Sequence, residues 1–68
     1  MIAQLTGTVR QLTTEKVILE VGGVGYLISI TPRTSSQITM GSVITLSTSL
    51  VVREDSMTLF GFLDSKDR

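Results

Sequence analysis

The chain has 68 residues, and its six Lys or Arg residues balance six Asp or Glu residues to give a formal net charge of zero. It contains no cysteine and no histidine, which excludes disulfides, thiolate metal sites and the commonest general base of enzymes. Charged residues make up 18% of the chain, against about 25% in typical soluble domains. A domain of this size buries only about 60% of its unfolded surface, so we expect it to gain stability from a partner subunit.

The sequence lacks the usual signals of membrane insertion and export. Its longest uninterrupted apolar runs, residues 17–19 and 50–52, have three residues each, whereas a spanning helix needs about 20. Residues 1–5 do not combine a basic segment with a long apolar one, as a signal peptide does. We therefore expect a cytoplasmic chain.

The first third of the chain predicts two strands. Residues 1–12 form one long strand in which Leu5 and Val9 alternate with polar residues. Gly7 lies in the middle of this strand, where glycine often marks a bulge or a sharp bend. After a polar turn, residues 16–21 alternate again and predict the second strand.

Glycine and proline organise the middle of the chain. Gly22 and Gly23 favour a tight reversal into a third strand. Residues 31–41 hold the only proline and are irregular, with room for one helical turn over residues 33–37. The third strand has three inward apolar residues: Tyr26, Ile28 and Ile30.

Two more strands, residues 43–52 and 57–62, flank a charged turn at residues 53–56. The inward face of the fourth strand is predicted to carry Ile44, Leu46, Leu50 and Val52, interrupted by Thr48. Five successive strands without a long helix fit a small antiparallel barrel. The long connection between the third and fourth strands favours the OB-fold, a five-stranded Greek-key barrel. An SH3-like barrel is the main alternative.

The last residues change character. Asp64 is a candidate helix N-cap, and the acidic Asp67 follows three residues later. We therefore divide the chain into an all-β domain over residues 1–63 and, over residues 64–68, the start of a helix that leads into a further domain. A frayed tail is the alternative.

No catalytic or cofactor site emerges from the sequence. Residues 21–26 are rich in glycine, but position 28 is Ile and no helix follows, so the pattern is a turn and not a phosphate-binding loop. The serines and threonines have no histidine or cysteine beside them to support nucleophilic catalysis. We expect no active site, no cofactor and no metal ion within this chain.

One charged pair is a candidate functional site. Glu54 and Asp55 occupy the turn between two apolar strands, where adjacent carboxylates repel each other. They supply too few oxygen ligands for a tight calcium site. An ordinary solvated turn is the alternative interpretation. Aromatic residues for stacking on bases are scarce, and Phe60 and Phe62 share one face of the fifth strand, where they predict core or a subunit interface.

Five segments together resemble the N-terminal domain of the bacterial RuvA family, the Holliday-junction-binding subunits of the RuvABC branch-migration machinery. The segments keep the family's order and spacing, and the resemblance covers the whole chain. They are MIA at residues 1–3, GTV at 7–9, EVGGVGY at 20–26, LVVRED at 50–55 and LFGF at 59–62. The resemblance implies an OB-fold and a role in DNA recombination, DNA repair and the SOS response.

The resemblance also implies site residues and partners. Glu54 and Asp55 match the family's acidic pin at the centre of a homotetramer, and Arg53 matches an arginine close to the junction. The implied partners are four-way junction DNA, the RuvB ATPase and the RuvC resolvase. The chain would be a non-catalytic part of an ATP-dependent helicase complex, with DNA gripped mainly by helix-hairpin-helix motifs in a second domain. Residues 33–41 depart from the family, because relatives often carry bulkier aromatic residues there.

A second functional class stays open from the sequence. An OB-type domain could bind single-stranded DNA or a protein partner without any preference for junctions.

Overall fold

The computed structural model describes residues 4–63, which are almost entirely β-structure. The elements in chain order are β1 (Gln4–Leu12), β2 (Lys16–Val21), β3 (Val24–Ser29), α1 (Pro32–Ser36), β4 (Val43–Arg53) and β5 (Ser56–Phe62). All five predicted strands are present, and the predicted helical turn is α1. Two predictions, the start of the first strand at residues 1–3 and the helix capped by Asp64, lie outside the described residues.

The five strands close into a barrel in the order β1-β2-β3-β5-β4. Every neighbouring pair is antiparallel except β3 and β5, which run parallel and pair at Ser29 and Phe60. Closure through a parallel pair, with a short helix between β3 and β4, gives the Greek-key arrangement of the OB-fold. The predicted fold class is confirmed.

Inward residues of all five strands, together with Ile30 and Ile38 from the connection between β3 and β4, form one core. Its members are Val9, Val17, Leu19, Ile28, Ile30, Ile38, Leu46 and Leu59, each less than one-tenth exposed. Full burial of one such side chain contributes about 1.5–3 kcal/mol. The alternation predicted for β2 and β3 therefore marks the core side of each strand correctly.

The bulge, one of the two features predicted at Gly7, does not form at that residue. The register of β1 against β2 shifts between Val9 and Gln11, two residues further along the strand. A Cβ atom at Gly7 would overlap the carbonyl oxygen of Glu20 and lie 2.9 Å from its carbonyl carbon. Gly7 thus allows β1 to pass close to the backbone of β2, and the bulge forms elsewhere.

The turns place two hairpin tips at one end of the barrel. Gly22 and Gly23 form the β2–β3 turn with φ angles of +57° and +87°, a conformation that glycine adopts without strain. Residues 54 and 55 form the β4–β5 turn. Because β3 and β5 are parallel, both turns lie at the same end, which we call the acidic end. The β1–β2 turn and α1 lie at the opposite end.

Helix α1 is set by its first residues. The Thr31 hydroxyl oxygen accepts a hydrogen bond from the backbone N–H of Thr34 at 3.1 Å, and Pro32 occupies the first helical turn. Both features are typical of helix starts. Between residues 4 and 63, no helix has the length and apolar character needed to cross a membrane.

Candidate functional site: the acidic hairpin

The β4–β5 hairpin carries the residues predicted to act on DNA. Arg53 pairs with Ser56 across the hairpin, so Glu54 and Asp55 alone form the turn. Two-residue hairpin turns prefer Asn-Gly or similar pairs with positive φ angles. Outside glycine, no residue in the described range has a positive φ angle, so Glu54 and Asp55 make this turn in a less favoured geometry. Turn formation alone does not account for this pair of residues.

The hairpin projects beyond the core of the barrel. On its inner face, Leu59 is buried and its cross-strand partner Leu50 is half-buried. The next inner pair, Val52 and Met57, is 63% and 70% exposed. With a rise of about 3.3 Å per residue, the turn lies roughly 13 Å beyond the Leu50–Leu59 pair. The two carboxylates are therefore held well away from the barrel wall.

The tip of the hairpin is charged and solvated. Arg53, Glu54 and Asp55 are all exposed. The single salt bridge found within residues 4–63 joins Nε of Arg10 to Oε1 of Glu20 at 2.8 Å, on the side of the barrel. The three charged groups at the tip thus keep their charges unpaired within the described chain. Together they give the tip of this hairpin a net charge of −1.

Within residues 4–63, the two carboxylates are not part of a metal-binding cluster. No cluster of three or more acidic, histidine or cysteine residues that could hold a metal ion occurs in the described range. Both carboxylates belong to exposed residues. The two carboxylates concentrate negative charge at the end of a two-stranded hairpin. This charge attracts cations and repels phosphates.

A groove lies beside the β1–β2 turn, where that turn meets the adjoining parts of β1, β2 and β3. It is lined by Gln11, Leu12, Thr13, Lys16, Val17, Ile18 and Leu27. The lining includes one basic residue and no aromatic one. Single-strand binding by OB-folds relies on stacked aromatic side chains in a positively charged groove. The chemistry of this groove does not favour that function.

The aromatic residues divide between core and surface. Tyr26 packs against the core, as predicted. Phe60 is 38% exposed and lies on the outer face of β5, opposite the buried Leu59. Of the two predicted environments for Phe60, core and subunit interface, its position excludes the core.

The exposed pair Val52 and Met57 was missed by sequence reasoning. Val52 follows the inward alternation of Leu46 and Leu50, so the pattern assigns it to the core side. Alternation indicates the side of the strand and not the distance from the core. The signal that could have found the pair is its position next to a charged turn, where a strand leaves the barrel.

Fold and hairpin define the class of protein: a small OB-fold domain that presents a projecting acidic hairpin. Residues 1–61 match the family described as the RuvA N terminal domain, and the chain belongs to that family. The predicted family is confirmed.

Relatives that share one name come from several bacteria. The chain is 50% identical over 68 residues to the Holliday junction branch migration complex subunit RuvA of Streptomyces coelicolor, a match that covers 100% of this chain and 34% of that protein. It is 55% identical over 62 residues to the protein of that name from Clavibacter michiganensis, covering 91% of this chain and 29% of the relative. The corresponding identity for Mycobacterium ulcerans is 43% over 68 residues, covering 100% of this chain and 34% of the relative. The chain thus spans about a third of the length of these relatives.

Proposed function

We propose that this chain is the N-terminal OB-fold domain of a Holliday-junction-binding subunit that acts in DNA recombination and repair. Its family membership and the name that its relatives carry support the assignment. The partners in this proposal are four-way junction DNA, the RuvB ATPase and the RuvC resolvase. The working form is a cytoplasmic homotetramer, and the domain itself is non-catalytic.

Glu54 and Asp55 act in this proposal as an acidic pin at the centre of the junction. The observation that carries the idea is the projection of these two exposed carboxylates beyond the barrel core. A carboxylate about 6 Å from a phosphate costs roughly 1–3 kcal/mol at an effective dielectric near 20, with the lower figure for strong salt screening. Four copies around one axis would present eight carboxylates to the DNA. Phosphates would be kept out of the centre, so the four arms would separate around it.

Arg53 lies at the base of the pin and is exposed. In the proposal it stays close to the DNA backbone, where its guanidinium partly offsets the repulsion. One arginine beside two carboxylates leaves the tip negative, so Arg53 limits the repulsion without removing it. Its role is to hold a phosphate at the edge of the excluded region.

The neutral charge of the chain agrees with a shaping role. Proteins that hold DNA by themselves release counterions with clusters of Lys and Arg. Here the six basic residues are balanced by six acidic ones. The main grip on DNA is therefore assigned to the helix-hairpin-helix domain expected from the family.

The test is neutralisation of the pin in the natural protein that carries this chain. Glu54→Gln with Asp55→Asn removes the negative charge and keeps the size of both side chains. We expect tighter binding to linear duplex DNA and a fall in the ratio of four-way-junction affinity to duplex affinity. Gel-shift titrations at two salt concentrations measure this ratio.

Glu15→Gln is the matched control, because Glu15 is an exposed carboxylate in the β1–β2 turn at the opposite end of the barrel. It should be compared with the single substitution Glu54→Gln, which changes the charge by the same amount. If the two single variants and the double variant all keep the junction-to-duplex ratio of the parent protein, the pin proposal is wrong.

A further inference from the structure

The groove beside the β1–β2 turn is a mostly apolar site that the proposed function does not use. Its apolar lining consists of Val17 from the core, the half-buried Leu12 and Ile18, and Leu27, which is 57% exposed. The volume of the groove is about 160 Å³. An apolar cavity of about 150 Å³ can hold benzene, so the groove has room for one large apolar side chain.

The turn that borders the groove is held in place by hydrogen bonds. The backbone N–H of Thr13 donates to the carbonyl oxygen of Lys16 at 2.8 Å, and the N–H of Lys16 donates to Oγ1 of Thr13 at 3.1 Å. Oγ of Ser35 in α1 donates to the carbonyl oxygen of Thr13 at 2.7 Å. The N–H of Ile30 donates to the carbonyl oxygen of Glu15 at 2.9 Å. This side of the groove is therefore preformed, which lowers the entropy lost when a ligand binds.

The polar groups of the groove suit an acidic peptide. Lys16 is the only charged residue in the lining, and it is exposed. Its ammonium group has no salt bridge within residues 4–63, where the single ion pair joins Arg10 to Glu20. The side-chain amide of Gln11, also in the lining, makes no hydrogen bond to any residue of this range. A carboxylate can pair with the ammonium group, and a peptide backbone can pair with the amide.

We propose that this groove binds an acidic segment of another protein, which inserts one leucine or phenylalanine side chain. The inserted side chain packs against Leu12, Ile18 and Leu27, and a neighbouring carboxylate of the segment pairs with Lys16. A buried anchor of this kind supplies most of the affinity in many protein interfaces. The groove lies at the end of the barrel opposite the acidic turn, so binding leaves that turn free. The inference goes beyond the proposed function and does not depend on it.

Nucleic acid is a poorer occupant of the groove. Its phosphates would find one cation, Lys16, where proteins that grip a nucleic acid backbone use several. Its bases would find no aromatic side chain on which to stack. An apolar side chain with one adjacent carboxylate matches both the volume and the single charge.

The test titrates the natural protein with three fluorescein-labelled synthetic peptides and measures fluorescence anisotropy. The probe, of sequence SDLFDS, carries apolar side chains between two carboxylates. One control peptide, SDSNDS, keeps the carboxylates and lacks the apolar side chains, and the other, SNLFNS, keeps the apolar side chains and lacks the carboxylates. We expect a dissociation constant below about 1 mM for SDLFDS and several-fold higher values for both control peptides.

Single variants locate the binding site of the probe. Leu27→Ser removes apolar lining and Lys16→Gln removes the charge, and both positions are exposed. The matched controls are Val43→Ser and Arg33→Gln, because both positions are exposed, lie at the same end of the barrel and do not line the groove. We expect the dissociation constant of SDLFDS to rise about fivefold or more for Leu27→Ser and about twofold or more for Lys16→Gln. The two controls should leave it unchanged.

Four results would overturn the proposal. The first is no binding of SDLFDS below about 1 mM, and the second is equal binding of SDLFDS and SDSNDS. The third is an equal loss of binding in Leu27→Ser and Val43→Ser. The fourth is a change in sedimentation or in junction affinity in Leu27→Ser or Lys16→Gln, which would assign the groove to a second copy or to DNA. The test of the acidic pin uses other residues, so each proposal can fail alone.

Thiol protection gives a second readout that does not depend on weakened binding. This chain has no cysteine, so a thiol can be introduced singly. On a cysteine-free background of the natural protein, saturating SDLFDS should slow the reaction of Leu27→Cys with a thiol reagent several-fold. Val43→Cys should react equally fast with and without the peptide. An unchanged rate for Leu27→Cys contradicts the proposal, as does a Leu27→Cys thiol that is already unreactive without the peptide.

Discussion

At the scale of single residues, a missing side chain determines how closely two strands approach. Gly7 faces the backbone of β2, where even a methyl group would overlap the carbonyl oxygen of Glu20. Backbone atoms held in a ladder cannot move aside as the end of a side chain can. The strand pair that includes Arg10 and Glu20 therefore depends on the absence of a Cβ atom at one position.

The first prediction tests this contact. Gly7→Ala should lower the free energy of unfolding by about 1–3 kcal/mol, because β1 must shift away from β2 to accommodate the methyl group. Gly25→Ala is the control, since its Cβ atom would meet only the side chain of Ile18, at 3.3 Å. Urea denaturation measures both variants, and equal stability of the two would contradict the proposed close approach.

At the scale of elements, α1 is stabilised by the residues at its two ends. Five residues are too few for an isolated helix to be stable in water. The Thr31 hydroxyl caps the helix and also donates a hydrogen bond to the hydroxyl of Thr34 at 3.1 Å, and Thr34 is buried. Ile38, just after the helix, joins the core. Capping and core packing together fix the connection between β3 and β4.

The second prediction concerns this cap. Thr31→Ala should cost about 1–2 kcal/mol of folding free energy, because it exposes a helical N–H and removes a partner from a buried hydroxyl. Thr39→Ala is the control, because Thr39 is exposed and its hydroxyl makes no hydrogen bond to any of residues 4–63. Thermal unfolding of both variants should show a lower midpoint for Thr31→Ala alone. Equal midpoints would mean that the cap is unimportant.

At the scale of the whole molecule, the parallel pairing of β3 with β5 determines which turns lie at the same end of the barrel. It brings the Gly22-Gly23 turn and the acidic turn to one end, and leaves α1 at the other. The core side chains close the barrel below the hairpin, so the carboxylates project without being part of the packing. Under the proposed function, a change at the tip should alter DNA selectivity, and its position outside the core implies little effect on folding.

The closure of the barrel also explains which structural features could be predicted from the sequence. The alternation of apolar and polar residues predicted the bounds of β2 correctly. It could do so because the inward residues of a strand all face the one core of the domain. It failed for Val52, since the depth of a residue depends on where the barrel closes. The bulge beyond Val9 was also out of reach, because it follows from the register of two strands. Pattern alone favoured a solvated turn at Glu54 and Asp55, and a role in DNA binding was predicted from family resemblance.

The central claim is that the tip of the β4–β5 hairpin lies where the four strands of a junction cross. Ser56 is exposed beside the acidic turn, and Thr14 is exposed in the β1–β2 turn at the opposite end. An iron chelate that generates hydroxyl radicals can be attached to Ser56→Cys or to Thr14→Cys, each on a cysteine-free background of the natural protein, and the labelled protein bound to a four-way junction. From position 56 we predict DNA cleavage concentrated next to the exchange point, and from position 14 no such focus. Cleavage from position 56 that falls along the arms, or is absent while the junction is bound, would contradict the account.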